Sequence, residues 1–113
     1  MAECLFCRII RRELPAEIVY EDDHCLAFRD INPQAPVHIL VVPKLHLESM
    51  LDLEHHPELA GFLGVSLVNV AREQGLVTNG FRVITNIGDW GGQVIKHLHF
   101  HVLGGRQLGN TLG

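Results

Sequence analysis

Apolar residues recur along the chain with two different periods, which predict its secondary structure. Residues 38–43 form a β-branched apolar run that is typical of a buried strand. Residues 57–74 have apolar side chains at helical spacing, and Pro57 and Gly75 suit the start and the C-terminal cap of such a helix. The helical positions are Leu59, Phe62, Leu63, Leu67 and Val70.

The remaining apolar segments predict shorter elements around these two. They are a short helix over residues 5–12, a hairpin of strands over 17–22 and 25–30, and strands over 81–85 and 98–103. The order is helix, three strands, helix, two strands. Most strands lack a long crossover between them, so we expect an antiparallel sheet. The fold class is therefore α+β, with the long helix packed on one face of a five-stranded sheet.

Size and charge exclude several classes of protein. With 113 residues, a single domain over 1–113 is the natural expectation. The net charge of −4 argues against a nucleic-acid partner, which normally requires a basic stripe. No apolar run reaches the roughly 18–20 residues that span a bilayer, so we expect no membrane segment. The charged N-terminal stretch does not resemble a signal peptide.

The three cysteines indicate a reducing compartment. An odd number without a signal peptide fits the cytoplasm better than a disulfide-linked secreted scaffold. Cys25 lies among apolar residues and is expected to be a buried thiol. Cys4 and Cys7 have C-x-x-C spacing, which by itself is compatible with half of a zinc site, a redox pair or coincidence.

Three histidines alternate with apolar residues near the C-terminus. On a strand, His97, His99 and His101 would share one face, while the residues between them, Leu98, Phe100 and Val102, enter the core. The pattern predicts a rigid surface that presents three imidazoles. It has three interpretations: a polar strand face, a metal site, or nucleophilic catalysis by a neutral imidazole.

A glycine-rich loop precedes these histidines. Residues 86–93 read NIGDWGGQ, and Gly88, Gly91 and Gly92 would let backbone N–H groups approach an anion closely. Beside three histidines, such a loop favours phosphate chemistry.

The segment HLHFHVL resembles the His-x-His-x-His signature of the histidine triad (HIT) superfamily. The blocks YEDD, AFRDINPQAPVHILVVPKLH, NIG, GGQ and LGGR resemble its branch of histidine triad nucleotide-binding proteins. The likeness runs over residues 5–106. It implies a single HIT-like domain and a purine nucleoside phosphoramidate hydrolase that releases a nucleoside monophosphate. The alternatives are a nucleotide-binding module with little catalysis, a dinucleoside polyphosphate hydrolase, or a hydrolase with a triad-bound catalytic zinc.

The resemblance assigns roles to individual residues. His99 would be the nucleophile that forms a nucleotidyl intermediate, and His101 and His38 would complete the catalytic set. Asp30 would bind the ribose, Asn86 would bond near the α-phosphate, and backbone N–H groups around Gly92 and Gln93 would bind phosphoryl oxygens. Val94, the next residue, would belong to the same nucleotide-binding segment. The apolar wall around the base would comprise Leu5, Phe6, Ile9, Leu14, Phe28 and Ile31.

The resemblance also implies a metal and a partner. Cys4, Cys7, His46 and His97 would bind a structural Zn²⁺, and no organic cofactor is expected. A homodimer is expected as well, formed through the long helix and a strand. Three departures affect the handling of the leaving group: Val94 stands where the family often has Ser or Thr, Trp90 occupies the glycine loop, and the family's C-terminal Trp is missing.

Overall fold

The structure, a computed structural model, describes residues 4–112. Its elements in chain order are helix α1 (Leu5–Ile10), strands β1 (Ile18–Glu21), β2 (Cys25–Arg29) and β3 (Val37–Pro43), a 3₁₀-helix (Met50–His55), helix α2 (Pro57–Glu73), and strands β4 (Arg82–Ile84) and β5 (Phe100–Gly104). No helix within residues 4–112 is long and apolar enough to cross a membrane.

The predicted five-stranded antiparallel sheet is confirmed. Its spatial order is β1-β2-β3-β5-β4, and every neighbouring pair is antiparallel. Strand β3 lies at the centre, where Leu40 faces His101 and His38 faces Leu103 across the β3–β5 pair. This register places the strand that precedes PKLH directly beside the histidine strand.

Both faces of the sheet are covered, which explains the continuous apolar run in β3. On one face, Ile39 and Val41 join a core with Leu63 and Val70 of α2. On the other face, a second cluster is built around α1. It comprises Phe6, Ile9, Leu26, Phe28, Leu40 and Val42. The sheet is therefore a middle layer, and the histidine face lies on the side of α1.

Two predicted elements begin or end elsewhere. Helix α1 ends at Ile10, because Arg12 adopts a positive φ of 64° that turns the chain away before Pro15. Strand β5 begins at Phe100 instead of residue 98. His97 and His99 therefore precede the regular strand, and both side chains are buried. The three imidazoles still share the α1 side of the sheet, as the alternating spacing predicts: Phe6 packs on the rings of His97 and His99, and the centroids of His99 and His101 are 5.2 Å apart.

The apolar positions predicted for α2 do not all pack on the sheet. The residues of α2 that face the sheet are Leu63, Ser66 and Val70, spaced three and four apart. Phe62 lies outside this stripe, is 44% exposed, and stacks on the exposed ring of His24 with centroids 3.9 Å apart. The apolar positions of α2 therefore form two faces, of which only one packs on the sheet.

A polar network ties the β1–β2 hairpin to α2. Asp22 Oδ2 accepts hydrogen bonds from Ser66 Oγ (2.6 Å) and from Tyr20 Oη (2.7 Å). Its Oδ1 accepts the backbone N–H groups of His24 and Cys25, both at 2.8 Å. Burial alone would raise the pKa of Asp22, but these four bonds outweigh it and lower the pKa to about 2.

We predict that Asp22→Asn lowers the free energy of unfolding by about 1–3 kcal/mol at pH 7, because an amide cannot accept all four bonds. The folded pKa lies below the ordinary value of 3.8. The carboxylate therefore contributes stability above about pH 4, which is lost as pH falls towards 2. Urea unfolding at pH 7 and pH 3 should show the variant closer to the wild type at the lower pH. Asp23→Asn, at the exposed neighbouring carboxylate, is the control.

Candidate active site

The imidazole of His99 is oriented by the main chain two residues earlier. His99 Nδ1 donates to the carbonyl of His97 at 2.7 Å, so its proton resides on Nδ1 and its Nε2 keeps a lone pair. Thr85 Oγ1 donates to the carbonyl of His99 at 2.8 Å and ties this segment to the end of β4. The ring of Phe6 packs edge-on against His99, with centroids 5.0 Å apart. This is the arrangement that a nucleophilic imidazole needs.

His38 and His101 form a hydrogen-bonded chain beside His99. The backbone N–H of Gln34 donates to His38 Nδ1 at 3.0 Å, which leaves the proton of the neutral ring on Nε2. His38 Nε2 donates to His101 Nδ1 at 2.9 Å, so neutral His101 carries its proton on Nε2. The centroids of His99 and His101 are 5.2 Å apart. His99 therefore offers the lone pair of its Nε2, and His101 offers its Nε2–H as a donor.

Burial favours the neutral forms of His101 and His38. It lowers the pKa of His101 to about 4, with the neighbouring His99 and His38 rings adding to the effect. Burial also lowers the pKa of His38, although the Asp30 carboxylate opposes the shift. At neutral pH, His101 therefore acts as a neutral N–H donor.

Asp30 borders this chain at the end of β2. Its Oδ1 accepts the backbone N–H of Asn32 at 2.8 Å, and its Oδ2 lies 3.4 Å from His38 Nε2. The half-buried carboxylate retains acceptor capacity towards solvent. This position is compatible with the sugar-binding role that the sequence suggests.

The glycine loop is held by hydrogen bonds of its own. The N–H groups of Gly92 and Gln93 donate to the carbonyls of Asp89 and Gly88, so the loop itself uses both donors in this conformation. The Gln93 side chain is buried: Nε2 donates to the carbonyls of Glu48 (2.6 Å) and Ile95 (3.1 Å). Gln93 therefore holds the loop in place.

The remaining residues of the glycine loop either hold its turn together or face the solvent. Asn86 Nδ2 donates to the carbonyl of Gly91 at 2.8 Å. A Cβ on Gly91 would lie 2.3 Å from the carbonyl oxygen of Ile87, so only glycine fits there. Val94 and Trp90 are exposed and contribute apolar surface.

The predicted apolar wall divides into buried and exposed members. Phe6, Ile9 and Phe28 belong to the buried cluster under α1, and Leu14 packs against its edge. Leu5 and Ile31 are exposed; Ile31 is 99% exposed. The buried residues therefore support the histidine face, and the exposed Leu5 and Ile31 are the members of the predicted wall that a base could reach.

The four predicted metal ligands converge at the start of α1. One ligand atom from each of Cys4, Cys7, His46 and His97 lies within 4.8 Å of all the others. Cys4 Sγ is 3.3 Å from His97 Nδ1, and Cys7 Sγ is 3.2 Å from His46 Nδ1 and 3.6 Å from His97 Nδ1. Zinc bonds of about 2.0–2.3 Å give a tetrahedron with edges of about 3.3–3.8 Å. The donor set fits a closed Cys₂His₂ zinc site.

The tautomer of His97 also suits a ligand. Its Nε2 donates to the carbonyl of Pro43 at 3.0 Å, so the lone pair of Nδ1 faces the two thiols. Burial lowers the pKa of His97 to about 4, which keeps the ring neutral. A backbone bond thus prepares this imidazole for metal binding.

A second group of potential ligands suits metal binding less well. One atom each of Asp30, His38 and His101 lie within 4.8 Å of one another. However, the N–H of Gln34 occupies His38 Nδ1 and leaves the proton on Nε2, the nitrogen that a metal would need. Among the triad, only His99 Nε2 keeps a lone pair in the site. The donor set therefore favours hydrogen bonding over a catalytic metal.

Two surface cavities lie away from the histidine triad. One of about 560 Å³ is lined by residues such as Phe81, Arg82 and Arg106, and one of about 500 Å³ by residues such as His24 and Phe62. Neither is lined by His99 or His101. The candidate active site is therefore identified by its side-chain chemistry, because it lies in neither of these two cavities.

Three supporting residues were not predicted from the sequence, and a fourth, Gln93, was predicted only for its backbone N–H. Gln34 and Pro43 act through main-chain atoms, Thr85 through its hydroxyl, and Gln93 through a buried side chain. Main-chain contacts do not depend on the side chain at that position, so no residue pattern marks them. Buried Gln93 lies between glycines and an exposed valine, where a loop residue would be expected.

Comparisons with known proteins agree with this geometry. The HIT domain family matches residues 11–108. The chain is 45% identical to the purine nucleoside phosphoramidase of Escherichia coli K12 over 112 residues, which cover 97% of this chain and 93% of that protein.

Solved structures of HIT proteins have the same fold. A histidine triad protein from Clostridium difficile superposes with a TM-score of 0.91 at 46% identity, covering 99% of this chain and 100% of that one. A HIT family hydrolase from Clostridium thermocellum gives 0.92 at 41% identity, covering 99% and 98%.

Proposed function

Because the chain belongs to the HIT domain family, we propose that it is a purine nucleoside phosphoramidate hydrolase that works through a covalent nucleotidyl-His99 intermediate. The observation that carries the proposal is the tautomer of His99: its Nδ1 proton is bound by the His97 carbonyl, which leaves the lone pair of Nε2 for a nucleophilic attack. The similarity to a purine nucleoside phosphoramidase supports the choice of substrate class.

The reaction consists of two displacements. His99 Nε2 attacks the α-phosphorus, a P–N bond forms to the imidazole, and the bond to the leaving amine breaks as that amine takes up a proton. Water then attacks the same phosphorus, releases a nucleoside monophosphate and restores neutral His99. Imidazole suits both steps, because it is both a nucleophile and a leaving group.

His101 supplies the N–H that a developing charge requires. Its Nδ1 accepts from His38, so its Nε2–H is available to a phosphoryl oxygen or to the leaving group. Val94 has no hydroxyl with which to share this task. The dependence on His101 should therefore be strong in this chain.

Adenosine 5′-phosphoramidate is the substrate that tests the proposal. Protein purified under reducing conditions should release one AMP for each phosphoramidate consumed, over many turnovers. AMP binding with no turnover would instead identify a nucleotide-binding module. The three cysteines form no disulfide, which fits the reducing cytoplasm as the proposed location.

The proposal includes a structural Zn²⁺ held by Cys4, Cys7, His46 and His97. Four protein ligands leave no position for a reactive water, so the metal would join α1 to the segment before His99 without entering the reaction. The ligand distances and the His97 tautomer support this assignment.

A homodimer is part of the same proposal. Val65 and Val68 are exposed on α2 beside Phe62. A Cβ placed on Gly61 or Gly64 would meet no atom within 4 Å, so this chain alone does not require glycine there. Close approach of a second helix would require it. A two-fold contact is the commonest way to cover such a face.

We predict that Val65→Asp converts the dimer to a monomer, because a carboxylate in the contact loses its hydration. Light scattering should fall from about twice the chain mass of 12.6 kDa to that mass. Leu51→Asp places the same charge at an exposed leucine of the 3₁₀-helix and should leave the dimer intact. A monomeric wild type at micromolar concentration would contradict the dimer.

A further inference from the structure

The segment Cys4-Leu5-Phe6-Cys7 brings two thiols and one aromatic ring to the same place at the start of α1. The Cys4 side chain caps the helix by accepting the N–H of Cys7 at 3.4 Å. Both cysteines are partly accessible, whereas Cys25 is fully buried in the opposite core. A small soluble oxidant therefore reaches Cys4 and Cys7 but not Cys25.

This segment contacts the nucleophile by two routes. Phe6, which lies between the cysteines, is 3% exposed and packs on the rings of His99 (5.0 Å) and His97 (5.9 Å). The second route runs through His97. Its Nδ1 faces Cys4 Sγ at 3.3 Å, while its carbonyl accepts the Nδ1–H of His99. The positions of the two sulfurs are thus connected to the tautomer and orientation of His99.

We propose that Cys4 and Cys7 form an oxidisable thiol site that controls the position of His99; this proposal rests on the function proposed above. A peroxide oxidises the two thiolates. They lose two electrons and form one S–S bond, while hydrogen peroxide takes up those electrons and two protons and becomes two molecules of water. Cys4 and Cys7 would then no longer act as ligands, so a Zn²⁺ held by the four side chains would dissociate.

The geometry permits this bond with a limited shift. The two sulfurs lie within 4.8 Å of each other, and a disulfide needs about 2.05 Å. Because both sulfurs also face imidazole nitrogens of His46 or His97, drawing them together removes them from those rings. Phe6 moves with the first turn of α1, and its contact with His99 loosens. A displacement of about 1 Å at a reacting group can cost about 100-fold in rate.

The test treats untagged, zinc-loaded protein with hydrogen peroxide and follows four quantities: the protein mass, the released zinc, the activity together with AMP affinity, and the ring signal of His99. We expect a loss of two mass units localised to the peptide with Cys4 and Cys7, and release of about one zinc per chain to a chromogenic chelator. We expect turnover of adenosine 5′-phosphoramidate to fall about 10- to 100-fold with the AMP dissociation constant changed less than about 3-fold. Dithiothreitol with added Zn²⁺ should reverse all of these changes.

The fourth quantity is the ¹⁵N spectrum of the His99 ring, which reports the proton on Nδ1 without any substrate. In the reduced protein it should show protonated Nδ1, and oxidation should move it towards exchange between tautomers. If phosphoramidate is not hydrolysed at all, the proposed function fails, whereas mass, metal and ring signal still decide the thiol site.

Matched variants separate this site from general oxidation damage. Cys25→Ala should respond to peroxide as the wild type does, and Cys4→Ser/Cys7→Ser should show no disulfide and no response. Formation of the disulfide with unchanged His99 signals and turnover would overturn the proposal. So would thiols that stay reduced at peroxide concentrations that oxidise glutathione.

Discussion

His99→Ala should lower phosphoramidate turnover by on the order of 10³-fold or more while AMP still binds with similar affinity. The variant loses the only triad nitrogen whose lone pair is directed into the site, so the first displacement has no nucleophile. The hydrogen-bonded pair of His38 and His101 and the Asp30 carboxylate stay in place to hold the nucleotide. Single-turnover kinetics and calorimetric titration with AMP measure the two quantities separately.

His55→Ala is the matched control, because it removes an imidazole from the exposed 3₁₀-helix. It should leave both turnover and binding unchanged. A His99→Ala protein that keeps more than about a tenth of wild-type turnover would assign the nucleophile to another group.

Loss of the proposed Zn²⁺ should produce the second large effect, a decrease in stability. Binding energy at a four-ligand zinc site adds directly to folding, and the folded state of this chain gathers the ligands from α1, the segment after β3 and the segment before β5. We expect Cys7→Ser, or a strong chelator, to lower the Tm by more than about 10 °C, corresponding to about 3 kcal/mol or more.

Elemental analysis of untagged protein should give about one zinc per chain before chelation. Val94→Ser, an exposed substitution outside the ligand set, should keep both the metal and the Tm. Protein that contains no metal and has the same Tm with and without chelator would show that the four side chains pack together for another reason.

Much of the fold was predictable because its strongest signals are local. The buried run of β3 and the helical spacing in α2 can each be recognised within a single element, from the periodicity of its apolar residues. The exposure of Phe62 was not predictable in this way. An apolar helix with two faces does not specify which face meets the sheet; in the structure the face with Leu63 and Val70 does so, and Ser66 on that face bonds to Asp22 across the interface.

The identities of the site residues came from the sequence, but their chemical states did not. Alternate histidines predict a shared face, yet the strand begins only at Phe100. The proton positions on His97, His99 and His38 are set by the Pro43 and His97 carbonyls and by the Gln34 N–H, which no side-chain pattern encodes. The phosphate role suggested for the N–H groups around Gly92 and Gln93 stays a prediction; in the structure these two groups donate to the carbonyls of Asp89 and Gly88, in turn bonds that no side-chain pattern encodes.

The stereochemical course at phosphorus tests covalent catalysis by His99 most directly. An adenosine 5′-phosphoramidothioate of known configuration would be hydrolysed in ¹⁸O-labelled water and the configuration of the product determined. Each in-line displacement inverts phosphorus, so attack by His99 followed by attack by water predicts net retention. Net inversion would show that water attacks the substrate directly, and would contradict the nucleotidyl-histidine intermediate.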